Sequence, residues 1–192
     1  TYNLSSTGAV TTLNFNGSQT LSGTGVLVMS DNANNRIINT NDILTQAAGH
    51  TIRGAGQLFA NTGGFNNEGT VIADGVNELL IDVNGLTMVN NGVLRAEGSG
   101  GIRLNAGTIT NLTSIDVEDG SQLVLSSGAH IVGGTLNTAG SGLVRYSTSL
   151  NTLNNVTNEG LIQHDDALSQ TVLNGLVNNG CLLYTSDAAD DG

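Results

Sequence analysis

Short stretches of alternating apolar and polar residues recur along the chain at a nearly constant step. A first series aligns Val71, Leu94, Ile115, Leu136 and Ile162, with steps of 23, 21, 21 and 26 residues. In a β-strand, successive side chains point to opposite faces, so alternation places one apolar side chain inside and its polar neighbour outside. The series therefore predicts a stack of short strands with an apolar inner face.

Two further series share this step. The second begins with Leu79, Ile102, Leu123 and Val144, at steps of 23, 21 and 21 residues, and continues less regularly at Val172 and Leu173. The third contains Leu86, Ile109, Ile131, Leu153 and Leu176, at steps of 23, 22, 22 and 23 residues. Together the three series predict a repeat unit of about 22 residues with three short strands and three turns.

A single unit of this size cannot bury its own apolar face, whereas stacked units can. We predict an all-β fold: a right-handed single-stranded parallel β-helix (solenoid) with about 22 residues and three strands per coil. A left-handed β-helix needs a stricter hexapeptide pattern, and the L-x-x-L-x-L signature of leucine-rich repeats is missing. At about 4.8 Å per coil, five regular coils give a rod of about 24 Å.

The predicted β-helix spans residues 1–180, with irregular early coils in 1–60 and regular coils in 61–180. Residues 21–27 resemble residues 52–58, which indicates early coils separated by a longer loop. We expect a short helix or a side loop at residues 41–48. Asparagine-containing segments follow the strands of the third series at residues 65–67, 89–92, 156–160 and 177–180, and Thr110-Asn111 is a weaker copy. We predict turns there in which Asn or Gly takes the left-handed conformation.

Residues 181–192 do not continue the repeat. Their first ten residues, CLLYTSDAAD, resemble the in-frame translation of a transposase-type sequencing adapter. We therefore expect this tail to be non-native and exclude it from the functional argument, with a natural tail as the alternative. Without its three aspartates the net charge is −11 + 3 = −8, and no cysteine remains. The first residue, Thr1, indicates a fragment or a processed product.

Composition narrows the class of protein. The chain has 5 Lys+Arg, all of them arginine, against 16 Asp+Glu, and it contains 27 Gly and no Pro. Its acidic character disfavours nucleic-acid binding. No apolar stretch is long enough for a membrane span in this fragment. The Gly and Asn content is typical of a chain with many tight turns, and the absence of a disulfide framework fits an exported bacterial protein.

The runs IRGAGQL (52–58), NEGTVIADG (67–75) and GVLRAEGSGG (92–101) resemble the repeats of large exported bacterial β-helix proteins. These include autotransporter passengers and filamentous-haemagglutinin-like adhesins, and the resemblance covers residues 20–180. It implies a structural or adhesive rod that is extracellular or on the bacterial cell surface, associated with the outer membrane. Expected partners are host or matrix glycans or proteins. The resemblance carries over no catalytic residues.

Pectin-degrading enzymes share this fold class, so an alternative function is a pectin-lyase-like carbohydrate-active enzyme. Residues 39–42, 49–51 and 164–166 are faint echoes of the aspartate cluster and the Gly-His-Gly element of polygalacturonases, but no Arg-Ile-Lys element occurs. Asp165 and Asp166 are neighbours, and in an extended strand their side chains point to opposite faces, unlike the paired carboxylates of glycosidases. We predict no enzyme activity and no catalytic residue; a passive stalk is the third possibility.

Asp74, Glu97 and Asp119 end the first strand in successive coils and form a predicted acidic ladder. Oxygen-rich ladders bind Ca²⁺, but the calcium-repeat pattern is missing. We favour the interpretation that these carboxylates keep the rod soluble and block lateral strand pairing.

Arg95, Arg103 and Arg145 occupy outward positions, where surface ion pairs or an anionic glycan are the expected contacts. The histidines, His50 and two others, are scattered. We predict no metal site, no cofactor-binding site and no cofactor. Open coil ends predict self-association through ends or edges.

Overall fold

The chain folds as a solenoid of parallel β-strands. The computed structural model describes residues 1–83, 85–148, 150–164 and 171–184, and within these ranges it contains strands and turns but no helix. The strands form three parallel sheets with about eight turns of about 21 residues, which confirms the all-β class and the three-strand coil. None of the described segments is a helix long and apolar enough to cross a membrane.

Each coil contributes one strand to each sheet. Sheet 1 contains β1 (Tyr2–Leu4), β4 (Val26–Met29), β7 (Thr51–Gly54), β10 (Thr70–Ala73), β13 (Val93–Ala96), β16 (Ser114–Val117), β19 (Thr135–Thr138), β22 (Thr157–Asn158) and β25 (Val177–Asn178). Sheet 2 contains β2 (Thr11–Phe15), β5 (Asn35–Asn39), β8 (Gly56–Leu58), β11 (Leu79–Asp82), β14 (Ile102–Asn105), β17 (Gln122–Ser126), β20 (Leu143–Tyr146), β23 (Leu161–His164) and β26 (Cys181–Tyr184). Sheet 3 contains β3 (Gln19–Leu21), β6 (Ile43–Gln46), β9 (Gly64–Asn67), β12 (Thr87–Asn90), β15 (Thr108–Asn111), β18 (His130–Val132), β21 (Asn151–Asn154) and β24 (Thr171–Asn174). Corner 1 joins sheet 1 to sheet 2, corner 2 joins sheet 2 to sheet 3, and corner 3 leads into the next coil.

Strand pairing one coil apart stacks like positions into columns. The first predicted series is confirmed through its fourth member, since Val71, Leu94, Ile115 and Leu136 are register partners and fully buried. The second series is confirmed through Val144. Burying one such aliphatic side chain contributes about 1.5–3 kcal/mol, so the columns supply the main stabilising term.

The early segment follows the same plan. Leu27 and Ile52 lie below Val71 in the sheet 1 column. The expected helix or side loop at residues 41–48 is wrong: Ile43–Gln46 is strand β6, and Leu44 is fully buried as the register partner of Phe65. Alternation of exposed and buried residues along this strand lets it continue sheet 3.

The last coil departs from the predicted series. Ile162 pairs with Val144 in sheet 2, and the partner of Leu136 in sheet 1 is the buried Asn158. Leu173, in the predicted second series, instead pairs with Leu153 in sheet 3. The connection between β22 and β23 has two residues, 159–160, whereas the one between β19 and β20 has four, so this coil is shorter. An amide fills the inner position where an aliphatic side chain is expected.

The repeat step predicted for the third series is confirmed, but its first and last residues are assigned wrongly. Met88, not Leu86, lies below Ile109 in the column, because Leu86 precedes strand β12. Leu176 packs only partly against the core, and Leu173 takes the column position.

Buried amides line the end of sheet 3. Asn67, Asn90 and Asn111 are register partners and almost completely buried, and Gln46 continues the row below them. Asn67 Nδ2 donates to Asn90 Oδ1, and Asn90 Nδ2 donates to Asn111 Oδ1, each at 2.8 Å. The prediction of left-handed turns at these residues is wrong, since they lie within strands and none has a positive φ. Their side chains point inward because each can bond to the next coil.

Candidate functional site

One corner of the solenoid is much shorter than its neighbours and leaves a cleft. Between β7 and β8 corner 1 consists of Ala55 alone, whereas residues 30–34 and 74–78 form the corners of the adjacent coils. Gly54 has a φ of 118°, and a Cβ there would lie 1.8 Å from the carbonyl oxygen of Met29. Only glycine therefore permits this tight corner. The longer corners overhang it and enclose a cleft of about 410 Å³, which we call the corner cleft.

Polar groups of the corner cleft are bonded to one another. Arg53 Nε donates to Asp74 Oδ2 at 2.8 Å, and a second guanidinium nitrogen contacts the same oxygen. Across the cleft, the backbone N–H of Asn77 donates to Asp31 Oδ1 at 2.8 Å, and its side chain does so at 3.2 Å. The corners of two coils are thus clasped over the intervening short one.

Hydrogen bonds in the corner cleft shift the pKa of two of its charged groups. Hydrogen bonding from the Asn77 backbone lowers the pKa of Asp31, and the hydrogen bond to Asp74 raises the pKa of Arg53. A general acid for glycoside cleavage needs a carboxyl with a raised pKa. Asp31 has the opposite shift. The corner cleft is suited to holding hydroxyl groups by hydrogen bonds.

Acidic residues concentrate on corner 1. Those that the structure describes there are Asp31, Asp74, Glu78, Glu97, Glu118, Asp119 and Glu159. We call this set the acidic ridge.

The predicted ladder is present with one correction. Glu118, not Asp119, follows Glu97, because the Glu97 and Glu118 backbone N–H groups bond to Ala73 and Ala96 at equivalent positions. Asp119 instead accepts bonds from the backbone and hydroxyl of Ser141 at 2.7 and 2.8 Å, and the backbone bond lowers its pKa. No group of three potential metal ligands lies together among the described residues.

All five arginines point outward from two columns. Arg53 and Arg95 belong to a sheet 1 column, and Arg95 Nη1 lies 3.2 Å from Glu97 Oε1. Arg36, Arg103 and Arg145 belong to a sheet 2 column, which confirms that Arg145 lies two coils beyond Arg103. Of these three, Arg103 pairs with Glu78 at 2.9 Å. Surface ion pairs such as these contribute little stability.

Among the residues that the structure describes, those considered as echoes of pectin-degrading enzymes do not converge. Asn39 is buried at the end of β5, Asp42 lies at corner 2, and His50 lies at corner 3 across sheet 3. Burial lowers the pKa of His50. His164 stacks with Tyr184 at a ring-centroid distance of 5.1 Å. Asp165 and Asp166 lie outside the described residues.

Sequence reasoning missed the corner cleft. Its signal was the Gly-Ala-Gly in residues 54–56, which shortens one corner, but the depth of the cleft depends on the corners that overhang it. A comparison of the chain with protein-family models, curated proteins and solved structures finds no match.

Proposed function

We propose that this chain is a segment of a structural and adhesive rod at the bacterial cell surface, exported in the manner of autotransporter passengers and filamentous-haemagglutinin-like adhesins. The observation that carries the proposal is the direction of its polar contacts. Arg53 to Asp74, Arg103 to Glu78 and Asn137 to Asp116 all run from coil to coil along the outer surface. Such contacts stabilise the stacking of neighbouring coils, and the stacked coils present extended surfaces to which a partner can bind.

The repeated faces also support a rod. About eight turns at about 4.8 Å per turn give a length of about 38 Å, and the same plan continues from one coil to the next. Proteins of this kind bind along a surface made of many coils. The acidic ridge keeps such a rod soluble and hinders lateral strand pairing.

An enzyme of the carbohydrate-active kind is the second candidate, favoured only by the corner cleft with its two carboxylates. Asp31 and Asp74 are both held by hydrogen bonds from neighbouring groups. Proton transfer by either would require those bonds to break. A passive stalk that binds nothing is the third candidate.

Two assays on the same purified chain separate these functions. Beads coated with the chain are passed over immobilised neutral and acidic polysaccharides and matrix proteins, and retention under flow is measured. In parallel, soluble polygalacturonate is incubated with the chain and its length distribution is followed by chromatography. We expect retention on at least one surface and no shortening of the polymer. Shortening that Asp74→Asn abolishes would establish the enzyme, and no retention on any surface would favour the passive stalk.

A further inference from the structure

We infer that the outer face of sheet 2 binds a linear acidic polysaccharide, laid along the axis of the solenoid and held by arginine side chains. The inference rests on the proposed adhesive function and names the site and the ligand class. The site is one outward column of register partners, which we call the arginine column. It contains Arg36, Gln57, Leu80, Arg103, Val124, Arg145 and Gln163.

The arginine column contains no carboxylate, although the chain carries 16 Asp+Glu. Arg36 and Arg145 take part in no ion pair with any residue that the structure describes. The Nε atoms of both are buried without a hydrogen-bond partner among those residues. Because a buried Nε atom is out of reach of a ligand, an anionic group lying on the face would bond to the outer guanidinium nitrogens of these two partly exposed side chains.

The third arginine of the column is already oriented along the same axis. Arg103 Nε donates to both carboxylate oxygens of Glu78, at 3.1 and 2.9 Å. Its Nη1 donates to Ser147 Oγ at 3.1 Å. Because Ser147 lies in the coil that contains Arg145, the guanidinium extends past Val124 toward that coil. This side chain therefore lies flat on the sheet, parallel to the direction in which a ligand would extend.

The spacing of the arginines selects a sparsely charged chain. Arg36 and Arg103 are three coils apart and Arg103 and Arg145 are two, which corresponds to about 14 and about 10 Å. Between Arg36 and Arg103 lies the partly exposed Leu80, which suits the face of an uncharged sugar ring, whereas Val124 is buried. A densely charged polymer such as a nucleic acid would place unpaired phosphates beside the acidic ridge on the adjoining corner, where they would be repelled. A polysaccharide with one carboxylate per disaccharide fits better.

The sheet 1 column provides a matched control. Arg53 and Arg95 also point outward, but each is paired with a carboxylate. The double variants R36Q/R145Q and R53Q/R95Q both change the net charge from −11 to −11 − 2 = −13. Any difference between them therefore reflects the face and not the total charge.

Binding is measured on the full chain by fluorescence anisotropy, with a labelled hyaluronan oligosaccharide as the probe. We expect the wild-type chain to bind the probe with an affinity that falls as salt is added. R36Q/R145Q should weaken binding about tenfold or more, since charged hydrogen bonds are lost, while R53Q/R95Q should stay within about twofold. Circular dichroism and thermal unfolding confirm that both variants fold.

Further probes fix the ligand class. A neutral glucan oligosaccharide of equal length should not bind, and single-stranded DNA should bind more weakly than hyaluronan at equal ionic strength. Equal losses in the two double variants, or tighter binding of the glucan or the DNA, would overturn the inference. If R36Q/R145Q is retained on the polysaccharide and matrix surfaces as strongly as the wild type, the arginine column is wrong but the adhesive rod stands. If the wild type is retained nowhere and binds no probe, both fail.

Discussion

The buried amide row makes a strong prediction about stability, centred on Asn90. This side chain is fully buried, accepts a hydrogen bond from Asn67, and donates to Asn111 Oδ1 at 2.8 Å and to the Ser114 carbonyl at 3.2 Å. Asn90→Ala removes all of these bonds and leaves buried partners in two neighbouring coils. Each unsatisfied group costs about 1–3 kcal/mol, so we expect a total loss of about 3–5 kcal/mol.

The loss is measured by urea unfolding followed by circular dichroism. The matched control is Asn91→Ala, because Asn91 is the next residue in sequence, has the same side chain and is exposed. The control should change the free energy of unfolding by less than about 0.5 kcal/mol. Equal effects of the two substitutions, or a change below about 1 kcal/mol for Asn90→Ala, would refute the argument that the amide row stabilises the stack.

A second substitution at the same position tests the donor role directly. Asn90→Asp keeps the shape but cannot donate to Asn111 when ionised, and burial raises the pKa of such a carboxyl. The folded state then binds the proton more tightly than the unfolded state, so the loss of stability relative to wild type should shrink as the pH falls. The loss caused by Asn90→Ala has no such dependence. A pH-independent loss for Asn90→Asp would contradict the assigned hydrogen bond.

Further predictions concern a histidine and a glycine. Burial lowers the pKa of His50 below its ordinary 6.5, so near this pH the unfolded chain binds more protons than the folded chain. We therefore expect the stability of the wild type to fall as the pH drops below about 6.5, and the stability of His50→Asn to fall less. Urea midpoints measured across this pH range test the difference. Parallel pH profiles would contradict this. Gly54→Ala places a Cβ against a carbonyl in a left-handed backbone and should cost about 2 kcal/mol or more, whereas Gly120→Ala, with φ at 74° but open space around it, should cost about 1 kcal/mol. Equal thermal midpoints for the two glycine variants would be evidence against the short corner.

The fold was predictable where the inner positions are aliphatic. Val71, Leu94, Ile115 and Leu136 repeat at a nearly constant step, and stacking makes each of them a register partner of the next. Hydrophobic periodicity predicts the positions of these strands directly, because each coil buries an aliphatic side chain at the same inner position.

Prediction failed where a polar side chain takes an inner position or where a corner changes length. Asn158 is the register partner of Leu136 and occupies an inner position of sheet 1. Because the prediction looked for an aliphatic residue at that position, it assigned Ile162 to sheet 1 instead of sheet 2. An inward asparagine in a strand and an outward asparagine in a turn look alike in sequence. What separates them is the hydrogen bond to the neighbouring coil, as from Asn158 to Asn178 at 2.7 Å.

The candidate sites were predictable only as individual residues. Arg103 and Arg145 were expected to face outward two coils apart, and they do. The membership of Arg36 in the same column depends on the register of the irregular early coils. The corner cleft depends on the overhang of two corners above Ala55, which no local pattern encodes.

The stacking of coils underlies both proposals, and distances between spin labels measure it most directly. Labels are placed in pairs by cysteine substitution of a Cys181→Ser background, in the outward sheet 1 column that contains Val26, Thr51, Thr135 and Thr157. We expect about 19 Å between positions 51 and 135, four coils apart, and about 29 Å between positions 26 and 157, six coils apart. Distances that grow in proportion to the number of coils, with narrow distributions, support the rod. Broad distributions, or distances out of proportion to the coil count, would contradict it.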